Sequence, residues 1–552
     1  MDKIWLKSYQ QDVPHEINVN EYSSLVELFS ESCRKHANSP AYVNMGCSIN
    51  FAQLDSLANQ FAMYLQSLGL QKGARVAIMM PNLLQYPVAI YAILRSGYVV
   101  VNINPLYTSD ELTSQMNDSG AEVLLVMANF IKTVEKSIPN MPFLKQIVIT
   151  EIADLFPLVK RVLINAVVKY IKKMVPTFHI PNAISFKQAL HHGNKQTNKY
   201  SIKITHEDIA FIQYTGGTTG VAKGAILTHG NMLANILQAS AWIHPMSVGH
   251  TDIVITALPL YHIFSLTANC LTFLKAGAKN ILITNPRDIS GFIKEIKHTG
   301  FTAITGVNTL FNAMLNHPKF ETINFSKLKL ALSGGMALQK SVSMQWREKT
   351  KSPILEAYGL TEASPAVAIN PMYLKDYNAS IGLPLPSTDI SIRDPEGNEV
   401  SLGEKGELSV KGPQVMPAYW QHPDETALVF WPDGYLKTGD IATMDEQGFI
   451  YLIDRIKDMI LVSGFNVYPN EIEQVISLMP GVLEVGVIGV CDDDSVEKVK
   501  ACIVKRDPTL TAEQVIAHAR EHLTAYKVPK IIEFYQDLPK TNVGKILKRA
   551  LK

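Results

Sequence analysis

The sequence predicts an α/β + α+β protein: a large N-terminal domain with two helix-covered sheets and a small antiparallel, barrel-like sheet, then a small C-terminal α+β domain. Three observations predict it. A chain of 552 residues exceeds one hydrophobic core. Helical periodicity alternates with short buried runs from about Ser23 to Ile283. Beyond about Ile381, short strands are separated by turn signals.

In the N-terminal part, each predicted strand is followed by a predicted helix. The order is a helix at 54–68, a strand at 75–80, a helix at 87–94 and a strand at 98–101. Later apolar runs at 254–258, 280–283 and 303–305 continue the pattern. Because strand–helix–strand units cross over with one hand, this alternation predicts parallel sheets covered by helices.

The C-terminal part has a different sequence pattern, with short strands separated by turn signals. Turn signals at 394–398, 402–406 and 445–448 separate short strands, which favours an antiparallel sheet or small barrel. The last hundred residues read as an α+β unit, with strands at 485–490, 499–504 and 531–534 and helices at 470–478 and 511–523. The charged segment 454–458 interrupts two apolar runs, so we expect domains at 1–454 and 455–552.

Charge and cysteine usage exclude some function classes. The net charge is +1, from 51 basic and 50 acidic residues, so no global field recruits nucleic acid. The five cysteines show neither metal spacing nor a disulfide framework, which favours a reducing cytoplasm. The N-terminus lacks the apolar core of a signal peptide, and Arg95 interrupts the best apolar stretch. We expect a cytoplasmic protein that at most lies on a membrane.

The segment 214–224 has the composition of a phosphate-binding loop. Glycines let backbone N–H groups approach an anion, threonine hydroxyls donate hydrogen bonds, and Lys223 adds a charge. The apolar run 209–212 predicts a strand that ends at this loop. Lys223 lies between Ala222 and Gly224, which does not match the G-K-[ST] of a nucleotide-hydrolysing loop. Taken alone, the segment also suits a flexible linker. Its candidate anion-binding residues are Tyr214, Thr215, Gly216, Gly217, Thr218, Thr219, Gly220 and Lys223.

Four further segments supply chemistry that this loop lacks. Tyr358-Gly359-Leu360-Thr361-Glu362 follows a predicted strand and offers a hydroxyl and a carboxylate for a phosphate oxygen and Mg²⁺. The run 435–440 ends in Asp440, which suits ribose hydroxyls, and the run 454–458 contains Arg455. The run 538–545 places Lys545 on a glycine-containing loop.

Each of these residues has a plain structural alternative. Glu362 could be a solvated carboxylate at a helix start, Asp440 a turn or helix cap, and Lys545 one charge of a basic tail. The order of the five segments, each with a chemically sensible role, favours the functional reading.

In these segments the chain resembles the adenylate-forming superfamily of acyl-CoA synthetases, luciferases and peptide-synthetase adenylation domains, from about Tyr22 to Lys548. Runs at 259–264, 304–311, 433–441 and 458–469 resemble bacterial long-chain fatty acid–CoA ligases more narrowly. Two positions depart from that pattern. Ile456 stands where such ligases often carry a second basic residue, and Leu266 where some carry a gating tryptophan.

The resemblance implies a reaction in two halves. A fatty acid and ATP give acyl-AMP and pyrophosphate, and coenzyme A then displaces AMP to form a thioester. Thr361 and Glu362 would hold the α-phosphate and Mg²⁺. The β- and γ-phosphates would be held by Thr215, Gly216, Thr218, Thr219 and Lys223. The resemblance further implies Gly335 and Tyr358 around the adenine, and Asp440 and Arg455 on the ribose. Gly359 is expected as a further nucleotide-binding residue.

For Lys545 the resemblance implies a bridge between carboxylate and α-phosphate. We expect an electrostatic role, because a solvated lysine with a pKa of about 10.4 is a poor base at neutral pH. It also implies a C-terminal domain that moves between the half-reactions, with Lys457 at the hinge and Gly464 at the coenzyme A tunnel.

The resemblance also implies an acyl pocket, built from Tyr214, His262, Phe264, Gly306 and Val307. For His262 the alternatives are a packed core residue and a residue that shapes or gates the pocket. The absent side chain of Gly306 is expected to leave length for a long alkyl tail.

An amphipathic basic segment at 155–174 is the one candidate for membrane contact. Apolar residues recur at helical spacing, and five basic residues lie on the same segment. One hypothesis is peripheral membrane association, on the inner face of the membrane; the alternative is an ordinary surface helix packed on the core.

Two rival functions stay open at this point. One is an acyl-AMP ligase that passes its adenylate to a carrier protein, and the other a catalytically silent acyl- or nucleotide-binding protein. The expected partners are therefore a fatty acid, ATP with Mg²⁺, and coenzyme A; chain length, pathway and homo-oligomer formation are left open by the sequence.

Overall fold

The fold consists of a large mixed α/β N-terminal domain with several sheets and a smaller C-terminal α+β domain. The structure is a computed structural model. The described residues are 3–196, 202–215, 222–246, 249–462, 465–491, 497–541 and 543–551.

One mostly parallel sheet carries the strand that leads into the glycine-rich loop. Neighbouring strands are parallel except the last pair, which is antiparallel. The predicted strand at 209–212 is confirmed and extends to Tyr214. Within the described residues the strand order is Ile184–Ser185, Gln146–Thr150, Val123–Met127, Arg75–Met79, Val99–Asn102, Ile209–Tyr214 and Gly224–Thr228.

A second, larger sheet has a parallel centre and antiparallel edges. Its strands Ala303–Gly306, Leu330–Gly334 and Ile354–Gly359 are parallel neighbours, so their carboxyl ends bring three candidate site segments to one edge. In the described part of the chain, the order is Leu383–Pro384, Ala366–Ile369, Ile354–Gly359, Leu330–Gly334, Ala303–Gly306, Ile253–Thr256, Lys279–Leu282, Pro40–Asn44 and Cys47–Asn50.

Helices cover both sheets, and one lies between them. The helix Gln85–Arg95 is buried along its length except at Arg95, which explains why its sequence is almost wholly apolar. Asn82, just before it, donates to the carbonyl oxygens of Thr256 and Leu258 at 3.1 and 2.9 Å and so joins the two sheets. The other N-terminal α-helices are Leu25–Lys35, Phe51–Ser67, Ser109–Ser119, Ile131–Ser137, Leu158–Ala166, Phe186–Asn194, His229–Ile243, Ile289–Ile296, Asn308–Leu315, Lys340–Thr350 and Pro423–Val429, with short helical turns at Ile263–Ser265 and Phe273–Lys275.

The predicted antiparallel sheet is confirmed in the described residues as the strands Asp389–Arg393, Gly406–Lys411, Leu436–Met444 and Ile450–Arg455. Its last two strands pair Asp440 directly with Arg455. Because residues in register face the same side of a sheet, two of the candidate ribose contacts become neighbours through strand pairing alone.

The C-terminal residues form a small α+β unit. The described strands Val482–Cys491, Glu497–Lys505 and Ile531–Tyr535 form one sheet, and Ile460–Val462 pairs with Phe465–Val467. The helices Pro469–Ser477 and Ala512–His522 confirm the predictions at 470–478 and 511–523.

The sequence predicts no membrane-spanning element and no disulfide framework. Among the helices of the described ranges, none combines the length and the apolar character needed to cross a bilayer. The cysteines are free thiols, with Cys491 exposed and the other four buried.

Candidate active site

Asp440, Tyr358 and Arg455 form one hydrogen-bonded group. The hydroxyl of Tyr358 donates to Oδ2 of Asp440 at 2.6 Å, and Nε of Arg455 lies 3.2 Å from Oδ1. The pKa of Tyr358 is raised well above its usual range, first by burial and then by the Asp440 carboxylate. These contacts orient the side chain of Asp440 at the edge of the cavity described next.

A cavity of about 1280 Å³ lies between the carboxyl edge of the larger sheet and the C-terminal domain. It brings together residues from all five segments identified in the sequence, and Gly335 with them. The predicted residues that line it are Tyr214, Gly335, Tyr358, Gly359, Asp440, Arg455, Lys457 and Lys545.

Lys545 reaches this cavity from a tight turn of the C-terminal domain. The backbone N–H of Gly544 donates to the carbonyl of Thr541 at 2.9 Å, and Gly544 has a φ of +89°, which favours glycine. The hydroxyl of Thr309 donates to the carbonyl oxygen of Gly544 at 2.8 Å. A Cβ built on Gly335 would lie 3.2 Å from Cε of Lys545, so this glycine makes room for the lysine.

The electrostatics of Lys545 differ from the sequence-based expectation. Burial, and then the positive charge of Arg455, lower the pKa of Lys545 to about 8, while Asp440 acts in the opposite direction. The premise of a solvated lysine was wrong, because the side chain is half-buried in the cavity. At pH 7 Lys545 is still protonated in most molecules.

The turn that carries Thr361 and Glu362 is built on Gly359. A Cβ at Gly359 would lie 2.2 Å from the carbonyl oxygen of Pro365, so a larger residue cannot fit without moving the turn. Backbone N–H of Met416 donates to the carbonyl of Glu362 at 2.8 Å. Oε1 of Glu362 accepts a hydrogen bond from the hydroxyl of Tyr419 at 2.6 Å.

The described ends of the phosphate-binding loop lie close together. The N–H of Thr215 donates to the carbonyl of Lys223 at 3.0 Å, and Nζ of Lys223 pairs with the carboxylate of Glu425. Lys223 also lies over the ring of Tyr419, 5.6 Å from its centroid. The predicted site residues Gly216, Gly217, Thr218, Thr219, Gly220 and Gly464 lie outside the described residues.

Of the predicted acyl-pocket residues, Tyr214 lines the cavity, whereas His262, Phe264, Gly306 and Val307 do not. Burial, and then the charge of Lys545, lower the pKa of His262 to about 3, so the imidazole is neutral. The ring of Phe264 lies 3.1 Å from a Cβ built on Gly334, and Val307 lies 3.4 Å from one built on Gly544. Neutral His262 fits a shaping role and not the role of a charged acid.

Gly306 packs against side chains of the protein, whereas the expectation was open space for an alkyl tail. A Cβ built on Gly306 would lie 2.9 Å from the ring of Phe311 and 3.3 Å from Leu310. Its missing side chain makes room for these two residues in the structure, so space for an alkyl tail does not follow from the glycine alone.

The sequence-based reading missed Glu356, which also lines the cavity. Its side chain is buried, and burial raises its pKa to about 8 even though the N–H of Leu338 donates to Oε1 at 3.1 Å. The available signal was an acidic residue inside the apolar run 353–357, where a charged side chain is rare.

Two family models match the chain. The family model described as AMP-binding enzyme matches residues 29–420, and the one described as AMP-binding enzyme C-terminal domain matches residues 471–545. The chain therefore belongs to the AMP-binding enzymes, the adenylate-forming class.

Curated relatives narrow the family. The chain is 54% identical to the long-chain-fatty-acid–CoA ligase of Yersinia pestis, over 100% of this chain and 98% of the relative. It is 38% identical to the long-chain-fatty-acid–CoA ligase of Bacillus subtilis, over 100% and 97%. Within its family the chain thus groups with the bacterial long-chain fatty acid–CoA ligases.

Solved structures confirm the predicted fold class. The anthranilate CoA ligase AuaEII in complex with anthranoyl-AMP matches with a TM-score of 0.85 at 25% identity, over 97% of this chain and 98% of that one. ATP-bound MatB from Rhodopseudomonas palustris matches with a TM-score of 0.77 at 29% identity, over 95% and 98%.

Proposed function

We propose that this protein is a long-chain fatty acid–CoA ligase that forms AMP. One observation carries the proposal: Lys545 of the C-terminal domain lies against Gly335, beside the Asp440–Arg455 pair, in a single cavity. Adenylation of a carboxylate requires a cation that offsets the charge of two approaching anions. It also requires polar groups that position the nucleotide.

In the first half-reaction a carboxylate oxygen of the fatty acid attacks the α-phosphorus of ATP, and the bond to the β-phosphate oxygen breaks. Lys545 offsets the charge of the two anions as they approach. Asp440 and Arg455 hold the ribose, and Tyr358 orients Asp440. Glu356, with its raised pKa, carries a proton at pH 7 and can donate a hydrogen bond in the same cavity.

The donor set around Glu362 fits Mg²⁺. This ion uses one or two carboxylates together with substrate phosphates. Glu362 offers a carboxylate beside the hydroxyl-bearing Thr361. Among the described residues, no group of three His, Cys, Asp or Glu ligands includes Glu362. When bound, the ion would neutralise phosphate charge.

In the second half-reaction the coenzyme A sulfur attacks the acyl carbon, the thiol proton is released and AMP leaves. We place the domain boundary between residues 454 and 455, so that Lys457 lies at the hinge and Lys545 withdraws with the C-terminal domain. Asp454 supports this place: its carboxylate accepts from the N–H groups of Arg455 and Asn470, both at 2.8 Å, and so ties the last N-terminal strand to the first C-terminal helix. Gly464 is the proposed tunnel residue.

We assign the acyl tail to the region of Tyr214, His262, Phe264, Gly306 and Val307. Because Gly306 packs on Phe311, a tryptophan there is too large to report on chain length, and alanine is the better probe. Gly306→Ala should shift a chain-length panel towards shorter acids. A lower melting temperature with an unchanged panel would show that Gly306 serves packing only.

The test of the function is thioester formation from a graded series of fatty acids with ATP, Mg²⁺ and coenzyme A. We expect acyl-CoA, AMP and pyrophosphate in equal amounts with long-chain acids. Acyl-AMP without thioester would favour transfer to a carrier protein. Nucleotide binding without either product would favour a catalytically silent protein.

We also propose that the segment 158–174 contacts a membrane surface from the cytoplasmic side, where ATP and coenzyme A are available. Its helix Leu158–Ala166 continues as a π-helical turn, Val167–Ile171. Ile164 and Val168 pack on the core, as expected for an ordinary surface helix. Other apolar residues of the segment are exposed, with Val159 and Ile171 at 72% and 75% exposure. The other exposed apolar residues of the segment are Leu158, Val162, Leu163, Val167, Tyr170 and Met174.

Charge complementarity selects an anionic lipid surface as the partner of this segment. Lys169, Lys172 and Lys173 are exposed beside the apolar residues, and such a basic amphipathic element binds where apolar insertion and anionic headgroups coincide. A fatty acid also partitions into the bilayer, so contact brings the enzyme to its substrate.

Liposome flotation with anionic vesicles tests the membrane proposal. A variant with Lys169, Lys172 and Lys173 each changed to glutamate should float less than wild type, and so should Ile171→Ser. The matched control changes three exposed lysines elsewhere, Lys136, Lys319 and Lys327, to glutamate and should float like wild type. Equal flotation of all proteins contradicts a lipid role for the segment.

A further inference from the structure

Two charged groups of the proposed phosphate site are held by one short segment, residues 416–426. Nζ of Lys223 pairs with the carboxylate of Glu425, and Glu362 accepts from the hydroxyl of Tyr419. Glu425 is not among the residues that the sequence pointed to, and it lies 202 positions from Lys223.

This segment is fixed to the strand that follows Lys223. The N–H of Trp420 donates to the carbonyl of Gly224 at 2.7 Å, and the N–H of Ile226 donates to the carbonyl of Ala418 at 3.0 Å. The hydroxyl of Thr426 accepts from the N–H of Tyr419 at 3.0 Å, which ties the first turn of the helix Pro423–Val429 to the same segment. Glu425 therefore stays near Lys223 when a phosphate arrives.

The Lys223–Glu425 pair is weak enough to be exchanged. The side chain of Glu425 is 42% exposed and that of Lys223 is 23% exposed. Partly exposed ion pairs of this kind contribute little free energy, and a phosphate group offers the ammonium a stronger, more highly charged partner. A carboxylate that remains beside the bound phosphates also repels them.

We propose that Glu425 is a positioning residue: it holds Lys223 while the site is free of nucleotide and competes with pyrophosphate for it. The ligand class is Mg²⁺-pyrophosphate and the matching end of ATP. Competition lowers the affinity for pyrophosphate and so favours its release after the first half-reaction. This inference rests on the proposed role of Lys223 in phosphate binding.

The test compares Glu425→Gln with wild type in two measurements. Titration of the ligand-free enzyme with Mg²⁺-pyrophosphate in a calorimeter should show binding about 2- to 5-fold tighter in the variant, the range that a partly exposed pair allows. The KM for ATP should fall by a similar factor, while kcat for acyl-CoA formation does not rise. A purely structural residue would change neither affinity in this direction.

Two further variants complete the test. Glu425→Asp draws the charge back by one methylene and should give an intermediate gain, so it tests the idea even if Glu425→Gln proves unstable. Asp424→Asn removes a neighbouring exposed charge and should bind pyrophosphate like wild type.

Equal or weaker pyrophosphate binding in both Glu425 variants contradicts the inference, as does an equal gain in Asp424→Asn. If wild type itself fails to bind Mg²⁺-pyrophosphate and to form acyl-AMP, the proposed function fails instead.

Discussion

The hydroxyl of Thr309 donates a hydrogen bond to the carbonyl oxygen of Gly544 at 2.8 Å, between residues 235 positions apart. Thr309 belongs to the helix Asn308–Leu315 of the N-terminal domain, and Gly544 immediately precedes Lys545. This contact holds the C-terminal turn against the cavity. Under the proposed function, this is the arrangement in which Lys545 is in place for the first half-reaction.

Thr309→Val should weaken that arrangement without changing the shape of the side chain. Losing one hydrogen bond slows acyl-AMP formation about 2- to 10-fold, while thioester formation from added acyl-AMP stays the same, because Lys545 is not required there. Single-turnover assays of each half-reaction measure this. The control is Thr322→Val, which should leave both rates unchanged. It removes an exposed hydrogen bond from the Thr322 hydroxyl to the carbonyl of Lys319 at 2.7 Å. Equal slowing of both halves in Thr309→Val would mean that the contact is not specific to adenylation.

Adenylation should lose rate as the pH rises through about 8. The pKa of Lys545 is lowered to about 8 by burial and by Arg455, and the protonated lysine is the form present below that pH. ATP–pyrophosphate exchange from pH 6.5 to 9.5 measures the effect. Lys545→Arg, which does not titrate in this range, should show no such fall in its residual activity. A fall only above pH 10 would mean that Lys545 is solvated in the working enzyme.

Glu356→Gln should stabilise the protein increasingly as the pH rises from about 4.5 to about 8. Burial raises the pKa of Glu356 to about 8 in the folded protein, whereas the unfolded chain releases this proton near pH 4.5. Wild type therefore loses up to about 1.4 kcal/mol of stability per pH unit across this window, and glutamine does not. Melting temperatures of both proteins at pH 5, 6.5 and 8 check it. A difference that does not depend on pH would mean that Glu356 titrates normally.

Gly359→Ala should disturb the turn that carries Thr361 and Glu362. A methyl group there would lie 2.2 Å from the carbonyl oxygen of Pro365, so the turn must move. Positioned catalytic groups tolerate little displacement, and we expect adenylation to fall about 10²-fold. Gly249→Ala is the control, because a Cβ there meets no described atom within 4 Å. Wild-type adenylation in Gly359→Ala would mean that this turn has no part in the reaction.

The sequence predicted the strands and helices well because their periodicity is local. The strand at 531–534 and the helix at 511–523, for example, appear as Ile531–Tyr535 and Ala512–His522. The pairing of Asp440 with Arg455 could also have been predicted, because the two residues lie on neighbouring strands of a predicted antiparallel sheet.

The electrostatics and side-chain directions of the site were beyond sequence reasoning. The lowered pKa of Lys545 depends on burial by a second domain, and the direction of Gly306 depends on the ring of Phe311. Glu425 had no local signal at all, because its contact with Lys223 forms only in the folded chain.

The most direct test of the proposed function measures both half-reactions in wild type and Lys545→Ala with a long-chain fatty acid. We expect the variant to form acyl-AMP at least about 10²-fold more slowly, yet to convert added acyl-AMP and coenzyme A to thioester at the wild-type rate. Acyl-AMP formation at the wild-type rate in Lys545→Ala would contradict the role of this lysine and the reading of the cavity that depends on it.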